Sequence, residues 1–216
     1  MKKSEAEYIK ILTKASEDYY NDLPSMSDED FDKIYDEFKK LYPKSKFLST
    51  VGARVQSNFK IVKHEILMGS LLKVNTLEEF VFWWEKYAES KLVLWSEKID
   101  GLSISLFYKD GIFTQAITRG DGTEGEDVTE NVRQMKFEKK LKKKFTGFIR
   151  GEIVLTKDLF KKHFSDKANP RNAASGSVRR LDGVGCEYLS VYCYFIEDES
   201  IKTETNRFKE LEKLRL

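Results

Sequence analysis

The sequence predicts an α+β fold in which a short helical region precedes a larger domain built on a sheet. Apolar residues recur at helical spacing through residue 42, and the pattern changes to alternation of apolar and polar residues from Gly101 onward. A chain of 216 residues is long enough to bury a sizeable core and to form two domains.

Two N-terminal segments, 5–20 and 28–42, are predicted to be helices because their apolar residues keep helical spacing. Ser27 with Asp30 is a start signal for the second helix, and Pro43 is expected to end it. Two short helices bury little apolar surface by themselves, so we expect this hairpin to dock on another part of the molecule.

A third helix is predicted to run from Thr76 to about Ser90, because Thr76 and Glu79 match a capping box. It is heavily aromatic, and the default interpretation places its aromatic side chains on a core-facing side. These side chains are Phe80, Trp83, Trp84 and Tyr87.

Alternation then predicts a strand from Gly101 to Tyr108, and Lys109, Asp110 and Gly111 predict a hairpin turn into a second strand over 112–118. Further elements are predicted downstream, namely strands over 148–155 and 188–195 and helices over 156–164, 171–181 and 207–214.

Charge is balanced overall, with 38 basic residues, 36 acidic residues and a net charge of +2. A nucleic-acid partner would therefore have to meet a local basic patch. One candidate is the segment 136–144, which contains six lysines interleaved with Phe137 and Leu141. A solvated loop between strands is the favoured interpretation of this segment, and a contact with DNA phosphates is the alternative.

The N-terminus is charged where a signal peptide needs an apolar core, and no apolar run approaches the length of a membrane span. We therefore expect a soluble, cytoplasmic protein with no membrane partner. Cys186, Cys193, His64 and His163 do not have the spacing of a zinc site, so no metal-ligating residues are predicted.

Lys98 is the most informative residue, because it follows the apolar run 92–95 and opens the alternating segment. Held at the mouth of a strand, it could act as a covalent nucleophile, and Gly101 would let a ligand approach the backbone. A solvated lysine beside Asp100 in a surface turn is the alternative.

Three further motifs follow Lys98, at 118–129, at Arg150-Gly151-Glu152 and at 169–179. Together the four motifs resemble the adenylation domain of NAD-dependent DNA ligases, which carries them in the same order. This resemblance implies a nucleotidyltransferase (ATP-grasp-like) domain built on a mixed sheet.

The opening of the chain resembles the small helical domain by which the same family binds the nicotinamide mononucleotide (NMN) half of NAD. The resemblance implies an NMN-binding domain over 1–45, a connector over 46–67 and an adenylation domain over 68–216 that is truncated at its C-terminal end.

In this family the lysine corresponding to Lys98 attacks the α-phosphate of NAD, so that a lysyl-AMP intermediate forms and NMN leaves, in the sealing of DNA nicks during replication and repair. Positioning and charge neutralisation by Mg²⁺ and arginine are expected to drive the step. The attacking amine must be uncharged, and partial burial beside Arg119 is expected to favour that form.

Glu152 is implied to bind ribose hydroxyls, and Asp100 to orient the sugar or a metal. The acidic turn 121–127 is expected to position Arg119.

The implied contacts with NAD fall into two groups. Four residues of the helical region are candidates for the nicotinamide half: Tyr19, Tyr20, Asp28 and Asp32. The remaining candidates are Ser70, Leu71, Glu97, Lys98, Arg119 and Glu152. The family usually has a glutamate two residues before the nucleophile, where this chain has Ser96, so a role for Glu97 in reading adenine stays open.

Arg171 and Arg179 are eight residues apart and are predicted to lie about two turns apart on one face of a helix. Two aligned guanidinium groups fit successive phosphates, and the family uses this element against nicked double-stranded DNA. Salt bridges from the helix to acidic residues are the alternative.

Family members continue past the last predicted helix into further lysine-bearing strands and an OB-fold, so we expect either a fragment or one subunit of a divided, viral ligase. In the second case a second polypeptide would carry the remaining strands. Two alternatives remain open: an ATP-dependent ligase or capping-type nucleotidyltransferase, and a non-catalytic subunit that binds NAD or DNA.

Overall fold

The computed structural model describes residues 3–20, 25–49 and 59–216. The N-terminal hairpin consists of α1 (Glu5–Tyr20) and α2 (Asp28–Leu41), which confirms both predicted helices. The Ser27 hydroxyl accepts a hydrogen bond from the Asp30 backbone N–H at 3.1 Å, so α2 begins at the predicted cap. Tyr8 and Leu12 of α1 pack against Phe38 of α2 to form a small core of their own.

The remaining elements follow in chain order: β1 (Ile61–Lys63), α3 (Leu77–Trp83), β2 (Leu102–Lys109), β3 (Ile112–Thr118), β4 (Glu124–Glu126), α4 (Thr129–Val132), β5 (Gly147–Val154), α5 (Lys157–His163), α6 (Pro170–Val178), β6 (Ser190–Ile196) and α7 (Glu204–Leu214). The predicted strands and helices after Gly101 are therefore present within a few residues of their expected bounds. The chain has an α+β fold, as predicted, and both of its sheets are antiparallel.

The main sheet has the strand order β3-β2-β5-β6. β2 turns into β3 through Asp110 and Gly111, whose φ angles are 52° and 80°. Positive φ at both central residues is what a two-residue hairpin requires, and aspartate followed by glycine tolerates it at low cost.

Alternation along β2 and β5 divides the side chains of the main sheet between two faces. Ile104 and Leu106 of β2 and Ile149 of β5 lie on the core face and are fully buried. Helices α4, α6 and α7 contribute to the same core. The other face of β2 and β5, which we call the polar face, carries Ser103 and Glu152.

Two short strands were not predicted. β1 pairs with β4 in a separate two-stranded sheet, from Ile61 opposite Glu126 to Lys63 opposite Glu124. Strands of three residues carry too little alternation to be recognised in a sequence. β1 lies within the predicted connector 46–67, and its pairing attaches that part of the connector to the sheet domain.

The aromatic helix departs from its prediction. α3 is capped by Thr76 as expected, since the Glu79 N–H donates to the Thr76 hydroxyl. The α-helix ends at Trp83, and a wider, π-helical turn follows it to Ala88. Its side chains Phe80, Trp84 and Tyr87 are more than 40% exposed, so their expected core placement is wrong.

The apolar run 92–95 that precedes Lys98 does not form part of a sheet. Leu92 is 95% exposed and Trp95 is 86% exposed, and residues 91–100 form no regular element. A strand is stable only when another strand pairs with it, and no strand in the described ranges pairs with this segment.

No helix within the described residues is both long enough and apolar enough to span a bilayer.

Candidate active site

The polar face of the sheet is centred on Ser103 and Glu152, which are directly opposite each other in β2 and β5. The Ser103 hydroxyl donates to Glu152 Oε2 at 2.8 Å. Burial raises the pKa of Glu152 above its usual range, while Ser103 and the positive charges of Arg171 and Lys98 oppose that shift. Two predicted site residues, Glu152 and Lys98, therefore lie within electrostatic reach of each other.

The glycines beside these residues serve strand packing. A Cβ on Gly101 would lie 2.1 Å from the Ile153 carbonyl oxygen, and a Cβ on Gly151 would lie 2.8 Å from the Tyr192 carbonyl oxygen. The sequence interpretation, in which Gly101 leaves room for a ligand, is therefore corrected. The missing side chain gives room to the backbone of β5.

Arg119 follows β3, and hydrogen bonds hold both its backbone and its guanidinium group. Its backbone N–H donates to the Ser103 carbonyl at 3.2 Å, and its Nη2 donates to the Ser70 hydroxyl at 2.7 Å. Within the described chain its Nε is buried and has no hydrogen-bond partner. An unsatisfied buried donor on an arginine is a feature that an anionic ligand would complete.

Residues 64–70, which we call the strap, cross the end of β3. The His64 ring Nε2 lies 3.1 Å from the Thr118 carbonyl oxygen and 3.2 Å from that of Arg119, so this nitrogen must carry the proton. Burial lowers the pKa of His64, and its two carbonyl partners act in the opposite direction. Arg150 also holds the strap, donating to the Leu67 carbonyl at 2.9 Å. The strap brings Ser70 to Arg119.

The acidic turn that joins β3 to β4 is a local hydrogen-bonded structure. Asp121 Oδ1 accepts from the backbone N–H groups of Thr123 and Glu124 at 2.8 and 3.0 Å. These bonds satisfy the carboxylate locally and agree with the expectation of a tight turn. Within the described ranges no three acidic, histidine or cysteine side chains cluster as metal ligands.

Lys98 and Asp100 are exposed, in contrast to the partial burial expected for Lys98. Asp100 Oδ1 accepts from Arg171 Nη1 at 2.9 Å, which connects this segment to α6. Lys98 was expected to be partly buried against the sheet, and that expectation is wrong because the irregular segment 91–100 that carries it is exposed.

Arg171 and Arg179 lie at opposite ends of α6, and each is engaged by a carboxylate. α6 ends at Val178, and Arg179 is its C-cap. Arg179 Nε donates at 3.0 Å to Glu126 Oε2, and the Glu126 side chain is 2% exposed. The paired arrangement expected for DNA phosphates is therefore corrected: Arg179 forms the salt bridge that was the alternative, and Arg171 is engaged with Asp100.

The other predicted contacts whose side chains the structure describes are exposed. Leu71 is 81% exposed and Glu97 is exposed, whereas Asp32 accepts from Lys73 Nζ at 2.7 Å. The side chains of Tyr19, Tyr20 and Asp28 lie outside the described part of the structure.

Three residues of the site were missed in the sequence. Ser103 orients Glu152, and His64 holds the carbonyl of Arg119. Tyr194 of β6 also lies at this site, beside Ser103. Burial and the charge of Glu152 raise the pKa of Tyr194, while its hydrogen bond with Ser103 lowers it. Ser103 could have been found, since it is a polar residue in the alternation that directly follows Gly101. No sequence signal marks His64 or Tyr194.

Comparison with known proteins identifies the family. Residues 56–216 match the family described as the NAD-dependent DNA ligase adenylation domain. A DNA ligase of Treponema denticola is 36% identical over 224 residues, covering 94% of this chain and 35% of the relative. A DNA ligase of Sorangium cellulosum is 34% identical over 236 residues, covering 96% of this chain and 35% of the relative.

A DNA ligase of Treponema pallidum is 35% identical over 197 residues, covering 87% of this chain and 24% of the relative. The chain thus spans between 24% and 35% of the length of these three relatives. The relatives are bacterial and longer than this chain, so the expectations of a virus and of a second polypeptide receive no support from them. The family match covers most of the chain, including every residue that converges on the polar face, and the chain belongs to the NAD-dependent DNA ligase adenylation domain family.

Proposed function

We propose that this chain performs the first step of DNA ligation, in which the Lys98 amine takes AMP from NAD. The observation that carries the proposal is the convergence of charges on the polar face. Lys98 and Arg171 both act on Glu152, and Arg119 is fixed beside Ser103 with an unsatisfied donor. A nucleophile, a carboxylate and an arginine in one place suit transfer of a nucleotidyl group.

The neutral Lys98 amine forms a bond from Nζ to the α-phosphorus of NAD, and the pyrophosphate P–O bond breaks with its electron pair leaving on NMN. The nitrogen releases its proton to water. Exposure of Lys98 gives that proton a direct path to solvent.

Arg119 is proposed to bind the phosphate that reacts. Its Nη2 is held by Ser70, whereas its Nε is unsatisfied. A phosphate oxygen would complete this guanidinium and place positive charge where negative charge accumulates in the transition state.

Glu152 is proposed to accept a hydrogen bond from the ribose. Ser103 already donates to one of its oxygens, which fixes the carboxylate in one orientation. A buried carboxylate held in this way can bind one hydroxyl with defined geometry, and it keeps the sugar near Lys98.

The described residues support a site for NAD more directly than one for Mg²⁺. NAD fits as the AMP donor, because the buried donor of Arg119 and the oriented carboxylate of Glu152 complement its phosphate and its ribose. For Mg²⁺, no three metal-ligating side chains cluster within the described residues, and an ion held by one or two carboxylates would depend on phosphate oxygens of the bound nucleotide for further ligands.

The AMP is proposed to pass from Lys98 to a 5′-phosphate at a nick in double-stranded DNA. Arg171 is the described arginine best placed to meet that phosphate, because it is about a third exposed and its partner Asp100 lies in the Lys98 segment.

The experiment is incubation of the chain with NAD labelled in its adenylate and, separately, with ATP labelled at the α-phosphate, followed by denaturation. Covalent label from NAD alone is the expected result. Label from ATP alone would favour the ATP-dependent nucleotidyltransferase, and label from neither would favour a non-catalytic subunit that binds NAD or DNA.

A further inference from the structure

A cluster of lysines lies at the end of the sheet opposite to Ser103 and Glu152. The cluster, which we call the hairpin-end patch, surrounds the turn between β2 and β3 and consists of Lys109, Lys139, Lys140, Lys142, Lys143 and Lys144. All six are exposed.

The patch is strongly unbalanced in charge. Its six lysines are accompanied by only two carboxylates, Asp110 and Glu138, which gives it a charge of +4 in a chain whose net charge is +2. Within the described ranges none of these lysines forms an ion pair. The positive potential of this end is therefore not neutralised by the protein itself.

The backbone that carries the patch is fixed to the hairpin. Gly111 donates to the Phe145 carbonyl and accepts from the Leu141 N–H, both at 2.8 Å, and the Phe113 N–H donates to the Lys139 carbonyl at 2.9 Å. The Leu141 side chain between the lysines is buried in the core. A loop anchored in this way presents its charges without first having to be ordered, which distinguishes it from a free solvated loop.

We propose that the hairpin-end patch is a second contact with duplex DNA, made through the phosphate backbone. The inference rests on the proposed function, because it takes the nick to lie at Lys98. Ser103 and Asp110 are seven residues apart along the strand that joins the two sites, so the patch lies about 23 Å from the polar face at about 3.3 Å per residue.

That separation sets where the patch would meet the duplex. Base pairs rise by about 3.4 Å each, so 23 Å corresponds to roughly seven base pairs from the nick. Phosphate contacts of this kind position a duplex and carry no sequence preference.

An alternative role for the lysines is protection of a sheet edge. β3 is an edge strand of the main sheet, and exposed lysines along an edge hinder pairing between molecules. The two roles make different predictions for DNA binding.

The test measures the affinity of the whole chain for a nicked duplex of 24 base pairs over a range of salt concentrations. The variant Lys142→Gln/Lys143→Gln/Lys144→Gln is compared with the matched control Lys39→Gln/Lys40→Gln/Lys44→Gln, which removes three exposed lysines from the N-terminal region. Each lost phosphate contact lowers the slope of log affinity against log salt by about 0.9. We expect the slope of the patch variant to be smaller in magnitude than that of the wild type by about two to three, and its affinity at ~100 mM salt to be at least tenfold weaker. The control should match the wild type in both slope and affinity.

A second series shortens one arm of the duplex at a time. When the arm that reaches the patch falls below about seven base pairs, wild-type affinity should drop to that of the patch variant. Unchanged slope in the patch variant, an equal loss in the control, or no dependence on arm length would overturn the proposal. Aggregation of the patch variant with unchanged DNA affinity would instead assign the lysines to edge protection.

Labelling by NAD separates this inference from the proposed function. The patch variant should label like the wild type, because the patch is remote from Lys98. Unchanged DNA affinity of the patch variant together with normal labelling would refute the inference alone, and absent labelling in the wild type would refute the proposed function alone.

Discussion

The main sheet and the segment that precedes it hold the two halves of the candidate site in different ways. Glu152 lies in a paired strand above a fully buried core, and its carboxylate is fixed by Ser103. Lys98 lies in an irregular, exposed segment whose ion pair, from Asp100 to Arg171, is at the surface. The groups proposed to bind the nucleotide are thus built into the fold, whereas the proposed nucleophile depends on contacts that contribute little to stability.

The difference in burial between the sheet and the Lys98 segment predicts different losses of stability on substitution. A buried charge or a buried leucine changes stability by several kcal/mol when it is altered, whereas an exposed ion pair contributes about 0–1 kcal/mol. Substitutions of buried residues in the sheet should therefore lower the free energy of unfolding by several kcal/mol, and substitutions of exposed residues near Lys98 should change it by about 1 kcal/mol or less.

The largest expected contrast is between the two arginines of α6. Arg179→Met should destabilise the fold by about 3–5 kcal/mol, because it leaves the Glu126 carboxylate buried at 2% exposure without its cation. Arg171→Met should cost about 1 kcal/mol or less, since Asp100 is 72% exposed. Urea unfolding measures both, and equal losses would show that the two ion pairs are not distinguished by burial.

A matched pair of leucines gives the next contrast. Leu106→Ala should cost about 2–5 kcal/mol because Leu106 is fully buried, whereas Leu92→Ala should change stability by less than about 0.5 kcal/mol at 95% exposure. The same unfolding measurement applies. A large loss for Leu92→Ala would mean that the segment before Lys98 is packed in solution.

Two glycines provide a smaller contrast. Gly101→Ala should destabilise the fold by about 2 kcal/mol, because its Cβ would meet the Ile153 carbonyl oxygen and force β2 and β5 apart. Gly69→Ala should be close to neutral, since nothing lies within 4 Å of its added Cβ. Thermal unfolding of the two variants compares them directly, and a neutral Gly101→Ala would argue against this strand contact.

The smallest expected effect is a pH dependence from His64. Burial lowers its pKa in the folded state, so the unfolded chain binds the proton more readily. The contribution of His64 is therefore fully present above its ordinary pKa of 6.5 and is lost as the pH falls below that value. Urea unfolding at pH 7.5 and at pH 5.5 should show a smaller difference for His64→Gln than for the wild type. An identical difference in both proteins would assign the pH dependence to other groups.

Several regular elements could be predicted because their signals are local. The alternation of β2, the aspartate-glycine turn and the cap of α2 each depend on a few neighbouring residues. The exposure of the apolar run 92–95 could not be predicted for the converse reason, since apolar character indicates that a segment can be buried but does not supply the partner that would bury it.

The candidate site was predictable in its motifs and not in its contacts. The motifs indicated Glu152 and Lys98 as residues of one site. No motif indicated the ion pair of Arg179 with Glu126, because these residues are 53 positions apart in the chain. The assignment of both arginines to DNA rested on their spacing along one helix and on the family resemblance, and neither shows that Asp100 and Glu126 would pair with them. Contacts of this kind depend on tertiary packing, which one sequence does not show.

The central claim is that Lys98 carries AMP taken from NAD. The direct measurement is mass spectrometry of the digested chain after incubation with NAD, comparing the wild type with Lys98→Arg and with Lys91→Arg, an exposed lysine of the same segment. Arginine retains the charge but cannot supply a neutral amine near neutral pH, so Lys98→Arg should lose the adduct while keeping the wild-type unfolding midpoint. Lys91→Arg should retain it. The predicted result is an AMP adduct on the peptide that contains residue 98 in the wild type and in Lys91→Arg, and none in Lys98→Arg. An adduct that survives Lys98→Arg would contradict the account.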